Sequence, residues 1–140
     1  MKKTFLASIC TLFVLMVSCN DNDDDYGKSS VADLLGQWSD TFDQGDGKRI
    51  SSYTFMEDST YEFRSDSFGF NGKPLTELTG FSEISGVFEV EGDSLILRAT
   101  QSEGFFKSKF WIKGDVLHLE YISYPADAPV LTQMEYDRVD

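Results

Sequence analysis

The stretch "FEVEGDSLIL", residues 88–97, alternates apolar and polar side chains on both sides of a Gly-Asp pair. Alternation with a period of two is typical of a β-strand with one buried face, and a Gly-Asp pair between two such runs predicts a hairpin turn. A second stretch, "FWIKGDVLHL" at residues 110–119, aligns with the first residue for residue. The repeat therefore predicts two β-hairpins of the same design.

The same alternation extends in both directions along the chain and predicts eight strands, preceded by a helical turn at Val31 to Leu35. The strands are expected near residues 37–43, 49–56, 60–65, 82–90, 94–100, 106–113, 116–122 and 132–139. Short connections are predicted at 57–59, 91–93 and 114–115, and longer ones at 43–48, 66–81, 101–105 and 123–131. In an up-and-down meander, alternate connections lie at the same end, so the tight turns gather at one end and the long loops at the other. Eight such strands with one apolar face close most economically into a barrel, which leaves no exposed edge.

Three short motifs carry a family resemblance: "LLGQW" (34–38), the "GDSLIL" hairpin and "EYDRV" (135–139). With this topology, the chain from Leu34 to Asp140 resembles the lipocalin-like domains of small Bacteroidota-type lipoproteins. The resemblance implies an all-β, eight-stranded up-and-down antiparallel β-barrel. It also implies that Trp38 of the Gly-x-Trp motif lies at the closed end and that Arg138 packs on it. The domain is shorter than a typical lipocalin and shows no long helix after the last strand.

The first residues have the pattern of a secretory leader. Lys2 and Lys3 precede an apolar run, Phe5 to Val17, and Ser18 stands just before Cys19. The run is shorter than the roughly 20 residues that a membrane span needs, and ordinary signal cleavage is the other alternative. The stretch resembles a lipoprotein box, which implies that Cys19 is the acylated mature N-terminus. The chain thus divides into a lipoprotein signal peptide (1–18), an acylated cysteine with a flexible acidic tether (19–30) and a lipocalin-like barrel (31–140).

The acidic residues that follow Cys19 have two interpretations. The segment "NDNDDDYGKSS" has almost nothing to bury and is typical of a solvated linker. It also resembles the export signal of Bacteroidota-type surface lipoproteins, which implies the outer membrane and its cell-surface face. A calcium loop is not supported, because no Glu closes it and Gly27 is out of register.

The charge and the cysteines narrow the classes of partner. The formal net charge is -12, and loss of residues 1–18 removes two lysines and no acid, which leaves -14. A chain with this excess of acids is not expected to bind nucleic-acid phosphates, which require Lys and Arg, and it is repelled by anionic lipids. The anchor on Cys19 is therefore expected to hold it to the membrane. Because Cys10 leaves with the leader and Cys19 is acylated, no disulfide is expected.

The inner face of the predicted barrel is rich in aromatic side chains. The candidate ligand-binding residues are Tyr53, Phe55, Tyr61, Phe63, Phe88, Phe110, Tyr121 and Tyr136. The rest of the predicted inner set is Val90, Leu95, Leu97, Ile112, Leu117, Leu119 and Met134. Candidates for the mouth are Phe68, Phe70, Phe81, Phe105 and Tyr124 in the long loops. An eight-stranded barrel can hold one small ligand or fill with side chains, and loop aromatics can form a lid or a contact patch.

The sequence contains no motif that points strongly to catalysis. His118 is the one histidine and falls on the outward side of its strand, no His/Cys cluster suggests a metal, and no Gly-x-Ser-x-Gly elbow occurs. An inward-facing carboxylate pair would favour an enzyme, with Asp40 and Glu62 as the pair to check, although Glu62 is expected to point outward.

Three functions follow in order of preference. The first is a membrane-anchored lipoprotein whose barrel binds a small apolar or amphipathic ligand at its open end. The second is a packed barrel that serves as a protein-interaction or accessory module of an envelope complex. The third, an enzyme, is distant, and neither a cofactor nor a metal is expected.

Overall fold

The computed structural model describes residues 29–140, which form a closed barrel of eight antiparallel strands, each paired with its neighbours in sequence. The predicted all-β, up-and-down barrel is thereby confirmed. The elements are α1 (Val31–Leu34), β1 (Gly36–Gln44), β2 (Gly47–Phe55), β3 (Thr60–Phe68), β4 (Leu78–Glu91), β5 (Ser94–Ala99), β6 (Phe106–Lys113), β7 (Val116–Ser123) and β8 (Val130–Val139). Short 3-10 turns occur at Phe70–Gly72 and Pro125–Asp127. The leader, Cys19 and most of the tether lie outside the described residues.

The two repeated hairpins have the same register. Glu91 pairs with Ser94 around the first Gly-Asp turn, and Lys113 pairs with Val116 around the second. These turns and the 56–59 connection lie at one end, which we name the closed end. The connections 69–77, 100–105 and 124–129 lie at the other end, which we name the mouth.

Two of the predicted connections were wrong in length. The segment 43–48 is not a long loop: Asp43 pairs with Lys48 and Gln44 with Gly47, so only Gly45 and Asp46 form the turn. The long loop expected at 66–81 is reduced to 69–77, because β3 and β4 extend towards the mouth. Phe68 and Phe81 therefore lie in strands, and their side chains do not belong to a loop.

The closed end is built around α1 and Trp38. Ser30 caps the helix: its hydroxyl accepts a hydrogen bond from the Asp33 amide, and the Asp33 carboxylate accepts one from the Ser30 amide. The Ser30 amide and hydroxyl both donate hydrogen bonds to the Asp33 carboxylate, and these two bonds lower the pKa of Asp33. Trp38 is fully buried and its indole Nε1 donates to the Leu34 carbonyl at 2.8 Å. The helix thus covers the bottom of the barrel and fixes the first strand.

The barrel interior is apolar in its lower half and polar near the mouth. The buried cluster is Leu34, Trp38, Phe55, Tyr61, Phe88, Leu95, Leu97, Phe110, Leu117, Leu119 and Tyr136. The strand register places on the same inner face, nearer the mouth, Asp40, Ser51, Ser65, Ser67, Ser82 and Thr132. Strands β1 and β8 pair only from Gln37 to Ser39 and are not paired towards the mouth. The upper interior is consequently open to solvent.

Candidate functional site

A side opening near the mouth results from unequal strand lengths. Strand β4 has 14 residues and its neighbour β5 has six. Their pairing ends at Gly86 with Ala99, followed by one hydrogen bond from the Thr100 amide to the Ser85 carbonyl. Within residues 29–140, no strand pairs with that side of β4 before Ser85. We name the gap between this part of β4 and the loop 100–105 the lateral slot.

The lateral slot leads to a pocket of about 460 Å³ in the barrel, which we name the lateral pocket. Its lining consists of Tyr53, Tyr61, Phe63, Ile84, Leu97, Ala99, Ser102, Gly104, Phe105 and Phe106. Most of these side chains are aromatic or aliphatic, and the volume lies within the roughly 300–1,000 Å³ of known small-molecule sites. Ile84 remains 45% exposed although it lies on the inner face, because β5 does not reach it.

The inner wall of the lateral pocket is a cluster of aromatic rings. The ring of Tyr53 lies 4.7 Å from that of Phe63, 5.6 Å from that of Phe55 and 5.3 Å from that of Tyr136, measured between centroids. Distances of this kind are favourable for aromatic packing. The wall is therefore held by ring contacts that reach down into the buried cluster.

Tyrosine hydroxyls place polar groups in this otherwise apolar interior. Burial raises the pKa of both Tyr53 and Tyr136, and it also raises the pKa of Tyr61. Each phenol thus stays neutral and remains a hydrogen-bond donor. The hydroxyl of Tyr121 points to the sulfur of Met134 at 3.4 Å. The Tyr53 hydroxyl has no hydrogen-bond partner in the described part of the chain, so it is free to bind a ligand.

The eight candidate ligand-binding aromatics divide into two groups. Tyr53, Tyr61 and Phe63 line the lateral pocket. The others do not: Phe55, Phe88, Phe110 and Tyr136 are buried in the closed-end core, and the ring of Tyr121 packs edge-on against that of Phe106 at 4.8 Å. The core aromatics fill the lower barrel, so the space for a ligand is confined to the mouth half.

The candidate mouth aromatics have different surroundings. Phe105 borders the lateral slot, is 60% exposed and lies beneath the guanidinium of Arg98, 5.1 Å from its ring centroid. Tyr124 is 67% exposed.

Two further mouth candidates, Phe70 and Phe68, pack on residues at the start of β2. A Cβ on Gly47 would lie 2.8 Å from two ring carbons of Phe70, so this ring packs directly on the glycine. Phe68 lies under the ammonium group of Lys48. Of the mouth candidates, only Phe105 lines the lateral pocket.

Several lining residues were missed by the sequence interpretation, namely Ile84, Ala99, Ser102, Gly104 and Phe106. A signal for them exists in the hairpin register. A turn at Gly92-Asp93 pairs Gly86 with Ala99, so residues before Gly86 face a six-residue loop and not a strand.

The closed-end pair predicted from the resemblance lies together. The Arg138 guanidinium carbon is 4.1 Å from the Trp38 ring centroid, and the two residues are cross-strand partners. The same guanidinium donates to the carbonyls of Leu35 at 3.0 Å and Asp33 at 2.7 Å. It therefore joins α1 to the first and last strands.

The candidate catalytic groups do not converge. Glu62 alternates with the buried Tyr61 and lies on the outer face, whereas Asp40 shares the inner face with Trp38. The imidazole of His118 stacks on Trp111 with centroids 4.9 Å apart, and its Nδ1 lies 3.2 Å from the Glu135 carboxylate on the outer face. Among residues 29–140, no group of three His, Cys, Asp or Glu side chains could hold a metal ion. In the same range, no helix is long and apolar enough to cross a membrane.

Comparisons with known proteins give a structural neighbour with limited similarity. No protein-family model and no curated protein matches the chain. The chain is similar to the crystal structure of the Cpx pathway activator NlpE from Escherichia coli, with 18% sequence identity and a TM-score of 0.44. The match covers 70% of this chain and 64% of that one.

Proposed function

We propose that this chain is a membrane-anchored lipoprotein whose barrel binds a small apolar or amphipathic ligand beside the mouth. The observation that carries the proposal is the lateral pocket of about 460 Å³. Aromatic and aliphatic side chains such as Phe63, Ile84 and Phe106 supply the apolar surface that a ligand would bury. A neutral tyrosine hydroxyl at Tyr53 supplies a donor that orients it.

The anchor in this proposal is acyl chains on Cys19, with the outer membrane as the location and the acidic segment after Cys19 as a surface-export signal. Multiple acyl chains give stable anchoring where one does not. The Ser29 hydroxyl accepts a hydrogen bond from the Ile112 amide at 2.8 Å, so the chain reaches the barrel near the closed end. A tether of about ten residues spans roughly 20 Å, which leaves the mouth facing away from the membrane.

We propose binding in preference to catalysis, and an interaction with an envelope protein is the second candidate. The observation that favours the second is the exposure of large apolar side chains around the mouth. Phe105, Tyr124 and Leu131 are 60%, 67% and 58% exposed. A partner that covered them would make the barrel an accessory module of an envelope complex.

Native mass spectrometry of the full chain extracted from its own envelope tests the first candidate. We expect an excess mass that is lost on denaturation, and a denatured mass equal to the chain from Cys19 plus acyl chains. Ala99→Phe fills the lateral pocket and should abolish the excess mass. Val87→Phe is the matched control, because Val87 is 50% exposed and does not line the pocket.

Each part of the proposal has its own contrary result. A native mass without excess in the unmodified chain would contradict ligand binding and favour the interaction module. An excess mass that survives Ala99→Phe, in a variant with an unchanged circular dichroism spectrum, would place the ligand elsewhere. A denatured mass without acyl chains would contradict the anchor.

A further inference from the structure

A second concave surface adjoins the lateral pocket on the outside of the barrel. It is a groove of about 590 Å³, which we name the outer groove. Its lining consists of Gln37, Ser52, Thr54, Glu62, Phe63, Arg64, Glu83, Ile84, Ser85 and Gln101. The strand register explains its polarity, since Gln37, Thr54, Glu62 and Ser85 form one cross-strand row on the outer face. The outer groove is thus a polar surface that crosses the four strands β1 to β4.

The outer groove and the lateral pocket meet at the lateral slot. Phe63 and Ile84 line both cavities. A smaller cavity of about 190 Å³ connects them, because it shares Ser85 and Gln101 with the groove and Ala99 and Ser102 with the pocket. A molecule that lies in the lateral slot therefore contacts the apolar rings of the lateral pocket on one side of β4 and the polar surface of the outer groove on the other.

The free edge of β4 adds hydrogen-bonding groups at this junction. The Ser85 carbonyl is the last group on that side of β4 to bond to the β5–β6 segment. In the described residues, the backbone groups of β4 that precede it on this side have no partner strand. Unpaired edges of this kind bind external donors and acceptors. The slot is therefore suited to the polar part of a ligand at the point where its apolar part begins.

The charged residues of the outer groove determine which kind of polar head group can bind there. Arg64 is its one cation among the described lining residues, and it is already paired with Asp66 at 2.9 Å and with Glu83. Glu62 is exposed and has no ion-pair partner among the described residues. An anionic group would face these carboxylates with no free cation to offset them.

The amides and hydroxyls of the groove favour an uncharged hydroxylated group over an ammonium. Gln37 and Gln101 each present donors and acceptors, as do the hydroxyls of Ser52 and Thr54. A hydroxyl both donates and accepts, so it can satisfy these groups together. An ammonium only donates and is much smaller than a groove of about 590 Å³.

From this geometry we infer that the ligand is an amphipath with a hydroxylated head group, such as a sugar, which binds in the outer groove while its apolar chain passes through the lateral slot into the lateral pocket. The inference rests on the proposed function and defines the ligand class of the same site. It assigns head-group recognition to Gln101, Glu62 and the free edge of β4. The apolar chain is recognised by the rings of Phe63 and Phe106.

Octyl glucoside, octanol and octanoate share one chain length and differ in the head group, so their binding separates the two cavities. The mature chain, residues 19–140 with Cys19→Ser, lacks both the apolar leader and the acyl chains and allows calorimetric titration without detergent, with each probe below its micelle-forming concentration. We expect octyl glucoside to bind about tenfold more tightly than octanol, the effect of one or two additional hydrogen bonds. Octanoate should bind no more tightly than octanol.

Two variants and a control locate the head-group site. Gln101→Ala and Glu62→Ala should reduce the preference for octyl glucoside over octanol by about threefold each and leave octanol binding unchanged. Gln44→Ala is the matched control, because Gln44 is exposed on β1 and lines neither cavity. It should change the binding of neither probe.

The outcomes distinguish this inference from the proposed function. Equal binding of octanol and octyl glucoside would overturn the hydroxylated head group and leave the apolar pocket standing. Tighter binding of octanoate, or of octylamine as a cationic probe, would also overturn it. If Gln101→Ala lost the binding of both octanol and octyl glucoside, Gln101 would maintain the shape of the loop, and its role in head-group recognition would be overturned. Binding of no probe would contradict the proposed function itself.

Discussion

Arg138 stabilises the closed end through three contacts made by one guanidinium. It packs on the buried Trp38 ring at 4.1 Å and donates to the carbonyls of Asp33 and Leu35. These carbonyls lie at the end of a helix of only four residues, where backbone acceptors have no intrahelical partner. The side chain therefore acts as a cap for α1 as well as a partner for Trp38.

We expect Arg138→Ala to lower the free energy of unfolding by about 2 kcal/mol or more. The loss combines a cation–π contact of about 1 kcal/mol with two hydrogen bonds whose acceptors are left unpaired. Urea denaturation measures the stability. Trp38 fluorescence in a Trp111→Phe background reports the ring's surroundings, and the emission should shift.

Arg98→Ala is the matched control for this prediction. Arg98 also lies over an aromatic ring, that of Phe105, but the ring is 60% exposed. An exposed pair of this kind contributes less than about 1 kcal/mol. If the two variants had the same urea midpoint, the guanidinium of Arg138 would not stabilise the closed end.

The sequence predicts only part of this residue's role. The motif resemblance indicates that Arg138 packs on Trp38, because both residues belong to short patterns that can be recognised in the chain. The hydrogen bonds to Asp33 and Leu35 depend on where α1 ends in space relative to β8. No local pattern of residues encodes that distance.

At the scale of elements, strand existence was predictable and strand length was not. Alternation marks all eight strands, since one face of each must be buried. The first residues of β4, Leu78 to Phe81, include Gly80 and carry no clear alternation, so the sequence predicts a loop there. The lateral slot exists because β4 is longer than β5. Since alternation does not predict strand length, it does not predict that Ile84 lines a pocket.

Gly86 controls the junction where the pairing of β4 and β5 ends. A Cβ at this position would lie 2.0 Å from the Arg98 carbonyl oxygen and 2.9 Å from the Ala99 Cα. Both are backbone atoms and cannot move away without disturbing the hairpin. Gly86→Ala should therefore lower the free energy of unfolding by about 3 kcal/mol or prevent folding, as overpacking against backbone does.

Gly80→Ala offers a control within the same strand. A Cβ at Gly80 meets nothing within 4 Å, and this glycine does not have a positive φ. Alanine there should change the stability by less than about 1 kcal/mol, with a gain expected from the lower entropy of the unfolded chain. Equal urea midpoints for the two variants would show that the tight approach at Gly86 does not limit the barrel.

At the scale of the whole molecule, the buried tyrosines make the stability of the barrel depend on pH in the alkaline range. Burial raises the pKa of Tyr53 and Tyr136 in the folded state above the value of about 10 for an unfolded chain. Below about pH 10 both states hold these protons, so the contribution to stability is fully present. As the pH rises beyond that value, the unfolded state releases protons that the folded state retains, and the stability falls. Each such tyrosine contributes a slope of about 1.4 kcal/mol per pH unit.

We expect Tyr136→Phe to make this alkaline decline shallower. Within residues 29–140, the only hydrogen bond of its hydroxyl is a weak one to the Met134 sulfur at 3.7 Å, so its removal should cost little stability at neutral pH. Urea denaturation at several values between about pH 8 and about pH 11 measures the slope. Tyr124→Phe, at an exposed loop position, should leave the slope unchanged. If Tyr136→Phe and the unmodified chain declined in parallel, the phenol in the core would not retain its proton at high pH. The inner wall would then be hydrated in the folded state, and an apolar ligand would gain little by binding beside it.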